Sequence, residues 1–306
     1  MTERESDESS DALDGRVCVV AGGGNGVGAA VARSLAAHGA SVVVNDVGAD
    51  VHGEGEDPEA AREVARDIRE AGGTAVAHPG DAADLDYALD LVSETVDEFG
   101  RLDAVANFAG ILRDDLSYRI EPEDWEAVQR AHLRSHFALL RASAAHWRDA
   151  AGDDGLSPQR SFIGVSALSA MGNVGQVSYA SAKAGVLGLV RSASSELYRY
   201  GVRVNALAPS AYTRMTETIP EEHRPYTREE MPPGALGPVV AYLVSDAAAD
   251  VTGVTVTAGG DRVGIMRDPE VTRLGVREGG WSVSALDDAF RDLAEGYELT
   301  RTDSHF

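Results

Sequence analysis

The sequence predicts an α/β fold: a single doubly wound parallel sheet with helices on both faces and a C-terminal helical extension. Three observations predict it. Strand-sized apolar runs alternate strictly with longer amphipathic stretches from residue 16 to about 258, the strands are continuously apolar, and no internal repeat or low-complexity linker interrupts them. The strand runs are residues 17–21, 41–45, 75–78, 104–107, 161–165, 202–207 and 254–257. The helical stretches are 26–38, 58–71, 85–99, 122–147, 179–200 and 235–245. After Gly260 the pattern breaks, and the remainder reads as loop plus one acidic helix near 284–295. The expected organisation is an acidic disordered tail over 1–14, a catalytic domain over 15–262 and an extension over 263–306.

Composition narrows the function classes. Hydrophobic residues make up 43% of the 306, enough for a sizeable core. No stretch approaches the roughly 18 apolar residues of a membrane span, so no membrane partner is expected. The N-terminal residues are polar and acidic, unlike a secretory signal. Cys18 is the single cysteine, which excludes an internal disulfide framework and a cysteine metal cluster. Its place in an apolar strand predicts a buried, inert thiol and a cytoplasmic setting. Fifty acidic residues against 27 basic ones give a net charge of −23, which argues against a nucleic-acid partner. Lys183 is the only lysine; every other cationic side chain of that class is arginine. Such a composition suits a salt-rich cytoplasm, where repulsion is screened within about 3 Å at 1 M ionic strength. A GC-rich genome is the competing explanation. Under either, a lone retained lysine asks for a reason.

The first strand runs into Gly22-Gly23-Gly24-Asn25-Gly26-Val27-Gly28, followed by a helix. Glycines there let the backbone turn tightly and approach a pyrophosphate, whose charge then faces a helix N-terminus. The domain is therefore Rossmann-like, and its expected cofactor is NAD. The second strand ends in Asp46, about 20 residues beyond the glycines, where a carboxylate bonds the ribose hydroxyls and repels a 2′-phosphate. Asp81 and Asn107 end two further strands at the same carboxyl edge, though each taken alone is equally a turn residue.

The chemistry falls in residues 166–183. Tyr179 and Lys183 are four apart, which places both on one face of a helix. A phenol titrates near 10, too high for an effective base at neutral pH, and a neighbouring ammonium lowers that value. Ser166, directly after a strand, is placed to donate a hydrogen bond to a carbonyl or alkoxide oxygen.

These residues resemble the short-chain dehydrogenase/reductase family, with its T-G-x-x-x-G-x-G turn, N-N-A-G, serine and Y-x-x-x-K. Here they read Ala21-Gly22-x-x-x-Gly26-x-Gly28, Asn107-Phe108-Ala109-Gly110, Ser166 and Tyr179-x-x-x-Lys183, over residues 16–260. The resemblance implies that Ser166, Tyr179 and Lys183 are catalytic and that Lys183 binds the nicotinamide ribose. It places Asp81 and Ala82 beside the adenine, and gives Asn107 and the stretch 205–209 adenosine-side roles. It also assigns Asn25, Val27, Ala109, Gly110, Pro209 and Thr213 to the cofactor site. Ala21 and Phe108 depart from the pattern, and His132 stands where many members carry a proton-relay asparagine. His132 and His136 have helical ligand spacing, but with no third ligand no metal is expected.

Finer details resemble one branch, the (3R)-hydroxyacyl-CoA dehydrogenase part of peroxisomal multifunctional enzymes and their bacterial relatives. They are Val44 to Gly48, Gly110-Ile111-Leu112-Arg113-Asp114, Glu123-Asp124-Trp125, His132-Leu133-Arg134 and residues 208–216. The resemblance implies oxidation of a (3R)-hydroxyacyl-CoA or similar secondary alcohol with NAD⁺. It also implies a homodimer or homotetramer formed through 122–147 and 179–200. Residues 210–233 are expected to form a mobile lid. Arg113 and Arg214 are the cations considered for a polyanionic acyl-CoA, and nothing in the sequence singles them out. Two alternatives are a 3-oxoacyl carrier-protein reductase using NADPH and a non-catalytic cofactor-binding regulator.

Overall fold

A computed structural model describes residues 12–151, 159–267 and 269–294. The chain divides into two compact units, Met1–Met266 and Arg267–Phe306. In the first, the valine-rich runs form β1 (Val17–Ala21), β2 (Ser41–Asp46), β3 (Thr74–Pro79), β4 (Ala104–Asn107), β5 (Arg160–Val165), β6 (Val202–Pro209) and β7 (Thr255–Gly259). All pair in parallel, in the order β3-β2-β1-β4-β5-β6-β7.

Helices α1 (Gly26–Ala37), α2 (Glu59–Glu70) and α8 (Gly237–Val244) cover one face, and α3 (Leu85–Phe99), α5 (Ser135–Ala151) and α6 (Val177–Leu197) cover the other. Successive strand side chains alternate faces. Cys18, Val20, Val42 and Val44 therefore enter one core with Leu35, Ile68 and Val240, while Val19 and Val43 enter the second with Leu91, Leu139 and Val190. Burial on both sides explains why the strands read as continuous apolar runs. Burial, and then the charge of Asp103, push the Cys18 thiol up to about 12, so it is inert at neutral pH.

Three expectations are corrected. An eighth strand, β8 (Arg262–Met266), follows a turn at Gly260 and pairs antiparallel with β7, where loop was expected. It is an edge strand whose apolar Val263 and Ile265 face out, so it lacked the pattern of a buried strand. The stretch 122–147 is not one α-helix: α4 (Pro122–Gln129) passes through a π-helical turn, Arg130–Arg134, into α5. Of the acidic tail, residues 1–11 lie outside the described residues, but Leu13 is fully buried and its N–H donates to the His38 carbonyl at 2.9 Å. In the second unit the expected acidic helix is α9 (Val283–Leu293), begun by Ser282, whose Oγ accepts from the Ala285 N–H.

Strand order reverses between β1 and β4, since the chain runs outward to β3 before returning to the other side of β1. The crevice beyond the carboxyl ends of these strands is where open α/β sheets hold ligands.

Candidate active site

The glycine-rich turn is packed too tightly for side chains. A Cβ on Gly22 would lie 2.4 Å from the Ala109 nitrogen, and one on Gly28 would lie 2.0 Å from the Gly22 carbonyl oxygen. Asn25, the N-cap of α1, makes no side-chain capping bond, so the first turn, which reaches the cleft at Asn25 and Gly26, is not capped by its own side chain. That arrangement fits a dinucleotide pyrophosphate.

The adjoining cleft is lined by Gly22, Asn25, Gly26, Asp46, Asp81, Ala82, Ala109, Gly110 and Thr213, among others. Asp46 is fixed at both oxygens: Oδ2 accepts from the Gly24 N–H at 2.8 Å and Oδ1 from the Gly48 N–H at 2.7 Å. Asp81 is paired with Arg130 at 2.6 Å across the rim. The loop after β2 arches from the end of β2 to the segment that follows β4. Arg214 donates to the Ala49 carbonyl at 2.9 Å, the Leu112 N–H to the Val51 carbonyl at 2.8 Å, and Arg113 to the His52 carbonyl at 2.8 Å.

Asn107 does not line this cleft. It is fully buried; its Nδ2 donates to Ser135 Oγ at 2.8 Å and its Oδ1 accepts from the Ala109 N–H at 3.0 Å. Its contribution here is to shape the turn that presents Ala109 and Gly110.

A second cleft shares Phe108, Gly110, Thr213 and Met215 with the first, so the two are continuous. Val27, Gly28, Pro209, Tyr179 and Lys183 line it, with apolar Leu112, Val165, Leu168, Met215 and Ile219. Of the expected lid, Thr213, Met215, Thr216, Thr218, Ile219 and Tyr226 line this cleft. Thr213 caps α7 (Arg214–Glu217) through a reciprocal bond with Thr216. Neither Arg113 nor Arg214 lines it.

Tyr179 and Lys183 stand one turn apart on α6, with Nζ 5.5 Å from the phenol ring centroid. Lys183 is buried, donates to the Val165 carbonyl at 2.7 Å, and burial lowers its pKa to about 7. The expectation that this ammonium lowers the Tyr179 pKa is corrected. Burial, and then the charges of Asp114 and Tyr226, hold the phenol above its ordinary value. Ser166 is also buried, and its hydroxyl donates to the Lys183 carbonyl at 2.8 Å rather than into the cleft.

His132 sits behind Tyr179, its ring edge-on at 4.9 Å between centroids. Nε2 lies 3.1 Å from the Ile111 nitrogen and 2.8 Å from its carbonyl oxygen, while Nδ1 is buried without a hydrogen-bond partner among the described residues. Burial, and then the charge of Lys183, hold its pKa well down, so the ring is neutral. His136 accepts the Val165 N–H at Nε2, 2.9 Å away. Its proton is therefore on Nδ1, which donates to the His132 carbonyl opened by the π-turn.

Sequence reading missed Asp114 and Gln176 as cleft residues. Asp114 stood within a quoted stretch, but no periodicity marks a loop side chain.

The fold and site are those of a dehydrogenase that binds a dinucleotide. Residues 21–260 match the family model described as enoyl-(acyl carrier protein) reductase. Hydroxyacyl-CoA dehydrogenase ChsB1 of Mycobacterium tuberculosis is 36% identical over 291 residues, covering 93% of this chain and 90% of that one. Peroxisomal multifunctional enzyme type 2 of Mus musculus is 38% identical over 243 residues, covering 79% of this chain but only 31% of that longer protein. The crystal structure of a short chain dehydrogenase from Mycobacterium avium superposes with a TM-score of 0.83 at 35% identity, covering 95% of this chain and 98% of that one. The chain belongs to the short-chain dehydrogenase/reductase family. It is accordingly an oxidoreductase acting on CH–OH groups with a nicotinamide dinucleotide. Among the described residues no helix is long and apolar enough to cross a membrane.

Proposed function

We propose that the chain oxidises a (3R)-hydroxyacyl-CoA, or a similar secondary alcohol, to the ketone with NAD⁺. The observation that carries this reading is the position of Tyr179 and Lys183, where the dinucleotide cleft runs into a second cleft with apolar and polar walls. Likeness to ChsB1 and to the multifunctional enzyme supports the acyl-CoA assignment. Asp46, held by two backbone amides, supports NAD over NADP, because a 2′-phosphate would meet a fixed carboxylate.

Bound NAD⁺ supplies the hydride acceptor and a positive charge beside the phenol. Tyr179 takes the carbinol proton as the alcohol is oxidised and returns it in the reverse direction. Lys183, one helical turn from Tyr179, holds the nicotinamide ribose. Ser166 contributes an oxyanion bond after its side chain rotates away from the Lys183 carbonyl. Gly22, Asn25, Gly26, Val27 and Gly28 hold the pyrophosphate, with Asp81 and Ala82 on the adenine side and Ala109, Gly110, Pro209 and Thr213 nearer the nicotinamide. Residues 210–233 act as a mobile lid. Assembly as a homodimer or homotetramer through 122–147 and 179–200, in the cytoplasm, belongs to the same proposal; the exposed Phe137 on α5 supports it.

Nicotinamide absorbance with NAD⁺ or NADP⁺ and paired (3R)- and (3S)-hydroxyacyl-CoA tests this. Reduction of NAD⁺ by the (3R) compound supports it. A clear preference for a free steroid or sugar alcohol sinks it.

A further inference from the structure

One wall of the substrate cleft carries a chain of polar side chains that the hydride-transfer chemistry does not use. Asn173 Nδ2 donates to Gln176 Oε1 at 2.8 Å, and Gln176 Nε2 donates to Asp114 Oδ2 at 2.7 Å. All three residues line the same cleft as Tyr179. Gln176 is the N-cap of α6, three residues before Tyr179, and Asp115 forms a parallel β-bridge with it. Two backbone features thus fix the Asp114 carboxylate on this wall. Asp114 remains reachable by solvent in the open cleft, yet the surrounding wall desolvates it and raises its pKa, against the bond from Gln176. Its charge is felt at the Tyr179 hydroxyl.

The lining offers little to balance that charge. Among the described residues that line the cleft there is no arginine, and Lys183 is the only lysine. Lys183 is buried and bonded to the Val165 carbonyl. A free 3-hydroxy acid carries its carboxylate carbon two bonds from the carbinol carbon. With the carbinol oxygen at Tyr179, that carboxylate enters the same cleft as Asp114 and meets a charge of like sign. A thioester has no such charge. Its carbonyl accepts from an amide, and Asn173 and Gln176 each keep a second N–H beyond the one already placed.

We infer that Asp114, held by Gln176, is a specificity-determining residue that admits an acyl substrate as a neutral ester or thioester and turns away the free acid. The inference rests on the acyl reading above.

The test compares (3R)-hydroxybutyrate with its N-acetylcysteamine thioester as substrates of the full chain, with NAD⁺, in wild type, Asp114→Asn and Asp114→Ser. The readout is the ratio of kcat/KM for acid and thioester, which a merely structural role would not move; NADH binding checks that each variant retains its cofactor site. The wild type is expected to favour the thioester by at least about a hundredfold, and both variants to narrow that ratio by at least about tenfold. Thioester turnover with an unchanged ratio in both variants overturns the inference alone, as does a wild type that takes the acid equally well. No turnover of either compound by the wild type overturns the inference and the acyl reading together.

Discussion

Ser166 and Lys183 are joined twice around the end of β5: the Ser166 hydroxyl donates to the Lys183 carbonyl at 2.8 Å, and the Lys183 ammonium donates to the carbonyl of Val165, the residue before the serine. The Ser166 side chain thereby holds the Lys183 backbone, and the Lys183 side chain holds the end of β5 at Val165. If Ser166 also serves the reacting oxygen, Ser166→Ala should lower kcat by roughly 10²–10³. Steady-state kinetics checks this, and an unchanged kcat would leave Ser166 a structural residue.

Lys183 should make stability depend on pH. Its folded pKa of about 7 lies below the unfolded value of 10.5. Between these values the unfolded chain binds more protons, so this term costs most below pH 7 and is relieved as pH rises towards 10.5. The relief amounts to roughly 3–5 kcal/mol. Denaturant unfolding of the apo-protein should show it, and Lys183→Met should flatten that part of the profile.

His136 acts at the acid end. Burial, and then the charge of Lys183, lower its pKa from 6.5 to about 3, so the unfolded chain takes up a proton in that window and the fold does not. Stability should fall as pH drops from 6.5 towards 3. An acid midpoint unmoved in His136→Asn would contradict this role.

His132→Ala removes the bond to Ile111 and opens a void behind Tyr179. A loss of about 2 kcal/mol in unfolding free energy is expected. A loss within about 0.5 kcal/mol, as at an ordinary surface site, would mean the contact carries no weight.

With a net charge of −23 and a polyanionic acyl-CoA as the proposed substrate, activity should rise with added salt as repulsion is screened. A flat or falling profile would count against adaptation to a salt-rich cytoplasm and against repulsion between chain and substrate.

Much of the fold was legible because a parallel sheet writes its strands as unbroken apolar runs, and the helix carrying Tyr179 and Lys183 fixes their relation by spacing alone. Asp46 was legible for the same reason, as the residue ending the next strand after the glycine turn and its helix. What stayed hidden depends on contacts between distant residues. The bond between Gln176 and Asp114 spans 62 positions, and the Ser166 hydroxyl finds its acceptor 17 positions away. The π-turn at His132 follows from where its carbonyl and ring are held, by His136 and Ile111, and helical periodicity does not report that. β8 escaped because an edge strand with its apolar side chains outward has no core to declare it.

The proposed reaction has Tyr179 move the proton in an NAD⁺-linked oxidation of a (3R)-hydroxyacyl thioester. Its most direct test is nicotinamide absorbance with the (3R) and (3S) compounds, wild type against Tyr179→Phe. Reduction of NAD⁺ with the (3R) compound alone, falling by roughly 10²–10⁴ in Tyr179→Phe, is the predicted result. Activity that survives the loss of the hydroxyl, or that follows the (3S) compound, would contradict it.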